Sequence, residues 1–120
     1  MPVNGNPELR DRTKKFALRV IRLFTALPKT DEARVLGRQL LRSGTSVAAN
    51  YREACRGRSD TELLSKLGIV EQELDESLLW MELLVESGII PPARLDELRK
   101  EGDELLSMTV ASIKTLKSRR

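Results

Sequence analysis

The sequence predicts an all-α protein, an antiparallel four-helix bundle whose helices run up-down-up-down. Leu, Glu, Lys and Arg dominate the chain, and only four of its 120 residues are aromatic, a composition that favours helices. Apolar residues recur at helical spacing in four segments that short connections join. Because short connections make neighbouring helices antiparallel, one bundle follows. A chain of this length can bury its own core, and residues 1–120 are predicted to form one domain.

The helix boundaries follow from capping and stop signals. Pro28 ends the first helix, because proline lacks the amide proton that a helix interior requires. Thr30 is a suitable N-cap for the second helix, and Gly57 is a suitable stop after it. Ser59 and Glu62 form a capping-box pattern at the start of the third helix. The helices are predicted over residues 7–27, 31–56, 60–87 and 92–117.

The second helix shows three faces, where a surface helix needs only two. Its apolar stripe contains Leu40, Val47, Tyr51 and Ala54. Arginines at 34, 38, 42, 52 and 56 lie on roughly the opposite side. Between these faces runs a band of small and polar residues, which predicts close packing within or between subunits. The polar residues singled out in this band are Ser43, Ser46, Asn50 and Glu53.

The third helix carries a second group of residues beside its core stripe. These residues are Ile69, Glu73, Glu76 and Trp80. A tryptophan off the core face is either a partly covered rim residue or an interface anchor, since it buries a large area at a small entropic cost. Leu79 also lies away from the core stripe and favours the anchor. We therefore expect these four residues to form an oligomer interface.

Charge is distributed unevenly along the chain. Residues 8–58 contain 13 basic and 5 acidic residues, residues 59–104 contain 4 and 13, and residues 105–120 contain 4 basic residues alone. The pattern is compatible with ordinary solvated helix faces. It also fits a basic surface for nucleic acid and an acidic surface for a partner or another copy of the chain.

Much catalytic chemistry is missing from the sequence. The chain has no histidine, the commonest general base and metal ligand. Neighbouring arginines could lower the pKa of the single cysteine, Cys55, but a packing role is the simpler reading. No nucleotide-binding motif is present. We expect no enzyme activity, no metal and no cofactor.

The start of the chain is polar and broken by proline, and it does not look like a signal peptide. No apolar run approaches the roughly 20 residues that span a bilayer. A lone cysteine also fits a reducing compartment. A cytoplasmic protein with no membrane contact is therefore expected.

The second helix resembles a hallmark of the bacterial four-helix bundle proteins known as 23S rRNA intervening-sequence proteins. The similarity rests on Gln39 to Ser43, Ser46 to Tyr51, Glu53 with Ala54, and Arg56 to Ser59. It continues through Lys66 to Ile69 and Glu76 and past Gly88, over about residues 8–118. The family includes the accessory protein of diversity-generating retroelements, which assists a reverse transcriptase. The resemblance implies a ring-like homopentamer whose basic surface contacts RNA or DNA.

The sequence departs from the family's commonest pattern at one place. Where Asn-Ile-x-Glu-Gly-x-Gly-Arg is usual, the chain has Asn50-Tyr-Arg-Glu-Ala-Cys-Arg-Gly-Arg58. Asn50 and Glu53 match, and Ala54 replaces a glycine. This form, together with Trp80, is typical of a subgroup.

Two functions fit these observations. The first is a non-catalytic oligomer that binds nucleic acid through phosphates, because the chain offers no aromatic platform for stacking bases. The residues expected to contact phosphates are Arg12, Lys15, Arg19, Arg22, Arg38, Arg42, Arg52, Arg56 and Arg58. The second is a protein-interaction scaffold or accessory subunit, for example of a reverse transcriptase, whose basic face meets an acidic partner.

Overall fold

The computed structural model describes residues 6–119, so residues 1–5 and 120 of the predicted domain lie outside the described part. It contains four helices: α1 (Pro7–Ala26), α2 (Asp31–Cys55), α3 (Asp60–Glu86) and α4 (Pro92–Ser118). No strand occurs among residues 6–119. Each helix begins and ends within one residue of the boundaries expected from the capping and stop signals. The bundle is a rod of 48 × 19 × 19 Å.

Helices that follow each other in the chain pack side by side, and α4 closes the bundle against α1. Among residues 6–119, no Cα atoms of the diagonal pairs, α1 with α3 and α2 with α4, lie within 8 Å of each other. Gly37 of α2 lies beside Phe24 of α1 and Leu27, the residue that follows α1, whereas Gly44 lies beside Val20. Because α2 advances while α1 recedes, the two helices are antiparallel. The predicted four-helix bundle is confirmed.

Side chains cap the first three helices. Asn6 Oδ1 accepts from the Glu8 amide at 2.8 Å, and Thr30 Oγ1 accepts from the Ala33 amide at 3.3 Å. At α3, Ser59 Oγ accepts from the amide of Glu62 at 3.1 Å. Only half of the expected capping box forms there, because the Glu62 carboxylate accepts from the Arg58 amide and not from that of Ser59.

The core lies along the axis of the rod, where each helix contributes one apolar stripe. Phe16, Leu40, Leu74 and Leu105 are among its fully buried side chains, one from each helix. In α3 the stripe includes Leu84, which is fully buried, whereas the neighbouring Val85 packs only partly against the core. No helix of the described chain has both the length and the apolar character that crossing a membrane demands.

Candidate nucleic-acid interface

A groove between α1 and α2 collects positive charge. Arg10 and Lys14 line it from α1, and Arg52 and Arg56 line it from α2; Pro7 and Asp11 complete the lining. By contrast, Glu71 and Asp75 line a groove between α3 and α4, on another side of the bundle. The basic and acidic parts of the sequence therefore lie on different sides of the folded bundle.

Helix geometry explains why four cations meet in this groove, named here the α1/α2 basic groove. Residues 10 and 14, like residues 52 and 56, lie about one helical turn apart on one flank of their helix. The start of α1 meets the end of α2, because the Asn6 amide donates to Tyr51 Oη at 2.9 Å. The two basic flanks consequently face each other across the seam.

The positive charge of the groove is not compensated within the described chain. Among residues 6–119, no carboxylate lies within 4.0 Å of the charged groups of Arg10, Lys14, Arg52 or Arg56. Asp11, the acid in the lining, instead pairs with Lys15 at 3.0 Å. Clustered unpaired cations attract an anionic ligand and hold it with charge-assisted hydrogen bonds.

Two titratable residues lie beside this groove. Burial raises the pKa of the half-buried Cys55 thiol, and the nearby Arg10 and Arg52 only partly offset that effect. Burial likewise raises the pKa of Tyr51, against the hydrogen bond that its oxygen receives from Asn6. The neighbouring arginines therefore do not bring the pKa of Cys55 below its ordinary value, since desolvation of the thiolate is the larger effect.

Two of the predicted phosphate contacts are instead held by carboxylates of the same chain. Arg12 donates to Glu101 through Nε at 3.0 Å and Nη2 at 2.7 Å, and to Glu104 at 2.9 Å. These bonds raise the pKa of Arg12. Arg42 reaches Glu76 at 2.6 Å and Glu73 at 3.2 Å. Carboxylates of the same chain therefore neutralise both guanidinium groups, although the Arg42 side chain remains 48% exposed.

The same contacts locate two residues of the expected oligomer interface within the bundle. Glu73 and Glu76 lie on the flank of α3 that faces α2, where Arg42 binds them. Ile69 and Trp80 are half-buried, and Trp80 packs against the core. The indole N–H of Trp80 is buried, with no acceptor among the described residues. Leu79 remains exposed over 45% of its surface.

The remaining predicted phosphate contacts lie at separate places. Arg19 and Arg22 line a different groove, between α1 and α4. Lys15 pairs with Asp11, and Arg38 and Arg58 are exposed. The structure thus brings Arg52 and Arg56 together and separates them from the predicted phosphate contacts of α1, namely Arg12, Lys15, Arg19 and Arg22.

The polar band of α2 packs against α3. Ser43 and Ser77 are fully buried, and their hydroxyl oxygens lie 2.7 Å apart. Glu53 pairs with Lys66 of α3 at 2.7 Å. Asn50 donates to the Ser46 carbonyl of its own helix at 2.9 Å. Ser43 and Glu53 therefore contact α3 of the same chain, whereas the Asn50 side chain bonds within α2.

Arg10 and Lys14 are the groove residues that the sequence reasoning missed. The phosphate contacts expected on α1 were Arg12, Lys15, Arg19 and Arg22, which lie together on one flank beside the core face. Arg10 and Lys14 lie on the opposite flank of α1, at a spacing of four. This spacing is a visible signal, but it becomes informative only when α2 is known to lie beside that flank.

Comparisons with known proteins agree with this fold. The model of the 23S rRNA-intervening sequence protein family matches residues 6–111. A solved structure from Bacteroides thetaiotaomicron, a protein of unknown function from the S23 ribosomal protein family, is similar with a TM-score of 0.83 and 31% sequence identity. The similarity covers 88% of this chain and 98% of that one. No curated protein matches. The chain therefore belongs to the 23S rRNA-intervening sequence protein family.

Proposed function

We propose that this protein is a non-catalytic, cytoplasmic nucleic-acid-binding bundle that holds the phosphate backbone of RNA or DNA in the α1/α2 basic groove. The observation that carries the proposal is the convergence of Arg10, Lys14, Arg52 and Arg56 without a carboxylate partner among residues 6–119. Three of the four are arginines, whose planar guanidinium groups form bidentate bonds with phosphate oxygens. Phosphate contacts of this kind supply affinity with little sequence preference.

Binding to labelled structured RNA and duplex DNA, measured by fluorescence anisotropy over a range of salt concentrations, tests this proposal. The double variant Arg52→Ala/Arg56→Ala is expected to weaken binding, because it removes two phosphate contacts. Its matched control is Arg99→Ala/Lys100→Ala, which removes two exposed charges from α4. Absence of binding by the unchanged protein at low salt, or an equal loss in the two variants, would contradict the proposal.

We further propose that copies of the chain assemble into a ring-like homopentamer, the assembly that the family resemblance implies. Exposed apolar side chains support self-association, because they lose contact with water when another copy covers them. Val35 is 62% exposed, Leu79 45% and Leu83 37%. A ring would also multiply weak phosphate contacts.

Light scattering of the unchanged protein at micromolar concentration tests the assembly. Leu79→Asp and Leu83→Asp are better probes than a Trp80 variant, because Trp80 packs on the core and its loss would also destabilise the subunit. Smaller particles with an unchanged circular dichroism spectrum are expected. A monomeric unchanged protein would refute the assembly.

A protein-interaction scaffold, such as an accessory subunit of a reverse transcriptase, is the alternative. The exposed apolar residues of α3 favour it as much as they favour self-association. A pull-down from nuclease-treated lysate separates the two functions. A partner that is retained after nuclease treatment, combined with no direct binding of purified nucleic acid, would support the scaffold.

A further inference from the structure

A second groove, between α1 and α4, carries three more cations. Arg19 and Arg22 line it from α1 and Arg94 lines it from α4, whereas leucines and an alanine make up the rest of its lining. We name it the arginine groove. Among residues 6–119, no carboxylate lies within 4.0 Å of the charged groups of these arginines. Like the α1/α2 basic groove, it therefore attracts an anion from outside the chain.

One row of side chains on α1 connects the two grooves. Residues four apart on a helix form a ridge that is inclined to the helix axis, because four residues exceed one full turn by about 40°. On α1 such a ridge consists of Arg10, Lys14, Leu18 and Arg22. It begins in the α1/α2 basic groove, which Arg10 and Lys14 line, and it ends in the arginine groove at Arg22. The ridge thus crosses the outer surface of α1 from the side of α2 to the side of α4.

The whole ridge is open to solvent. All four of its residues are exposed, and Leu18, the one uncharged member, is exposed over 41% of its surface. Arg10 and Arg22 are separated by about 18 Å along the axis of α1, at about 1.5 Å per residue. A duplex carries one phosphate per strand about every 3.4 Å, so about five or six base pairs span this distance. A ligand of that length reaches both grooves at once.

Carboxylates beside α1 oppose such a ligand only weakly, because cations of the same chain neutralise them. Asp11 pairs with Lys15 at 3.0 Å. Glu101 and Glu104 of α4 bind Arg12 at 2.7 and 2.9 Å. The cations of the two grooves have no such partner among residues 6–119, so the charge that faces a ligand along the ridge is positive.

We propose that a single nucleic-acid backbone follows this ridge, with the arginine groove as a second phosphate site. The inference rests on the proposed function and extends it from one groove to a continuous track across α1. A polyanion with regularly spaced charges satisfies the cations at both ends of the ridge, whereas a small anion occupies one groove alone. Leu18, midway along the ridge, is the one position of the track that lacks a cation.

The anisotropy of a fluorescein-labelled DNA duplex longer than the track, measured over a range of salt concentrations, tests the inference. Arg22→Ala/Arg94→Ala removes two cations of the arginine groove, and Arg99→Ala/Lys100→Ala is its control of equal charge elsewhere on α4. Leu18→Lys adds a cation to the middle of the ridge. Its control, Ser65→Lys, adds the same charge to the exposed surface of α3, the helix diagonal to α1. Circular dichroism reports that each variant is folded.

Arg22→Ala/Arg94→Ala should reduce the magnitude of the slope of log K against log salt by about 1.8, and Leu18→Lys should increase it by about 0.9 with tighter binding. The two controls should change the slope much less. The inference is overturned if either variant behaves like its control, or if polyglutamate of equal charge displaces the duplex as well as unlabelled duplex does. Failure of the proposed function has a different sign: the duplex does not bind at low salt, or its affinity is unchanged by the loss of Arg52 and Arg56.

Discussion

Ser43 of α2 and Ser77 of α3 form a buried hydrogen bond of 2.7 Å between their hydroxyl oxygens. Each hydroxyl also lies within hydrogen-bonding distance of a carbonyl of its own helix, that of Leu40 for Ser43 and that of Glu73 for Ser77. Ser43→Ala should lower the free energy of unfolding by about 1 kcal/mol, because the bond between the helices is lost. Urea denaturation measures this change.

A double-mutant cycle identifies the bond itself. Ser43→Ala/Ser77→Ala is expected to cost less than the sum of the two single variants, because either one already breaks the shared bond. Ser65→Ala, at an exposed position of α3, is the control and should leave the urea midpoint nearly unchanged. Additive effects of the two buried variants would show that the serines do not act together.

Gly44 permits the close approach of α2 to α1. A Cβ atom added at this position would lie 2.9 Å from both methyl groups of Val20, a stiff β-branched side chain that cannot easily move. Gly44→Ala should therefore destabilise the bundle by about 1–2 kcal/mol, even though alanine favours a helix. The urea midpoint is the measurement.

Gly68 is the matched control for Gly44. It lies inside α3, where an added Cβ would meet nothing within 4 Å. Gly68→Ala should stabilise the protein by about 0.5–1 kcal/mol through helix propensity alone. If both substitutions changed stability in the same direction, steric contact at Gly44 would not be the cause.

Arg12 and Glu101 join α1 to α4, the pair of neighbouring helices that contact each other least. Both side chains are 22% exposed, so solvent screens part of their attraction. A double-mutant cycle with Arg12→Ala and Glu101→Ala should give a coupling of about 0.5–1 kcal/mol. The coupling should decrease at high salt. The exposed pair of Lys15 and Asp11 is the control, and it should show a smaller coupling.

Tyr51 is the only tyrosine, so its titration can be followed directly by the ultraviolet absorbance of the phenolate. Burial raises its pKa in the folded state, whereas the unfolded value is about 10. The folded protein therefore holds the phenolic proton more tightly. The contribution of Tyr51 to stability is unchanged below pH of about 10 and decreases as the pH rises above that value.

The absorbance titration should give a higher pKa in buffer than in urea. The raised pKa of Cys55 acts in the same direction, so both proteins compared here carry Cys55→Ala. In that background, stability at alkaline pH should fall less steeply with Tyr51→Phe than with Tyr51 in place. Equal titrations in buffer and in urea would mean that Tyr51 is solvated in the folded state.

The α1/α2 basic groove predicts the salt dependence of nucleic-acid binding. For a duplex, the slope of log K against log salt becomes shallower by about 0.9 for each phosphate contact that is lost. The variant Arg52→Ala/Arg56→Ala should therefore reduce the magnitude of this slope by about 1.8. The effect should be similar for unrelated sequences, since phosphates carry no sequence information. A loss of affinity with an unchanged slope would indicate that these arginines act through the fold and not through phosphates.

The sequence by itself determined the number of helices, their ends and their core faces. These features depend on short-range physics: Pro28 cannot continue a helix, Thr30 and Ser59 cap one, and apolar side chains at helical spacing must share a buried face. The band of polar residues that contains Ser43 could be predicted for the same reason, because helical periodicity places it between the apolar face and the arginine face of the second helix. The resemblance to the family was also visible in this region of α2.

Only the tertiary structure decided which charges are available. Arg12 and Arg52 look alike in the sequence, yet Arg12 meets Glu101 and Glu104 of α4, whereas Arg52 meets Arg10 and Lys14 across a groove. Helical periodicity places a side chain on one face of its own helix. The rotation and height of the neighbouring helix determine what lies opposite, because core packing along the whole seam sets them.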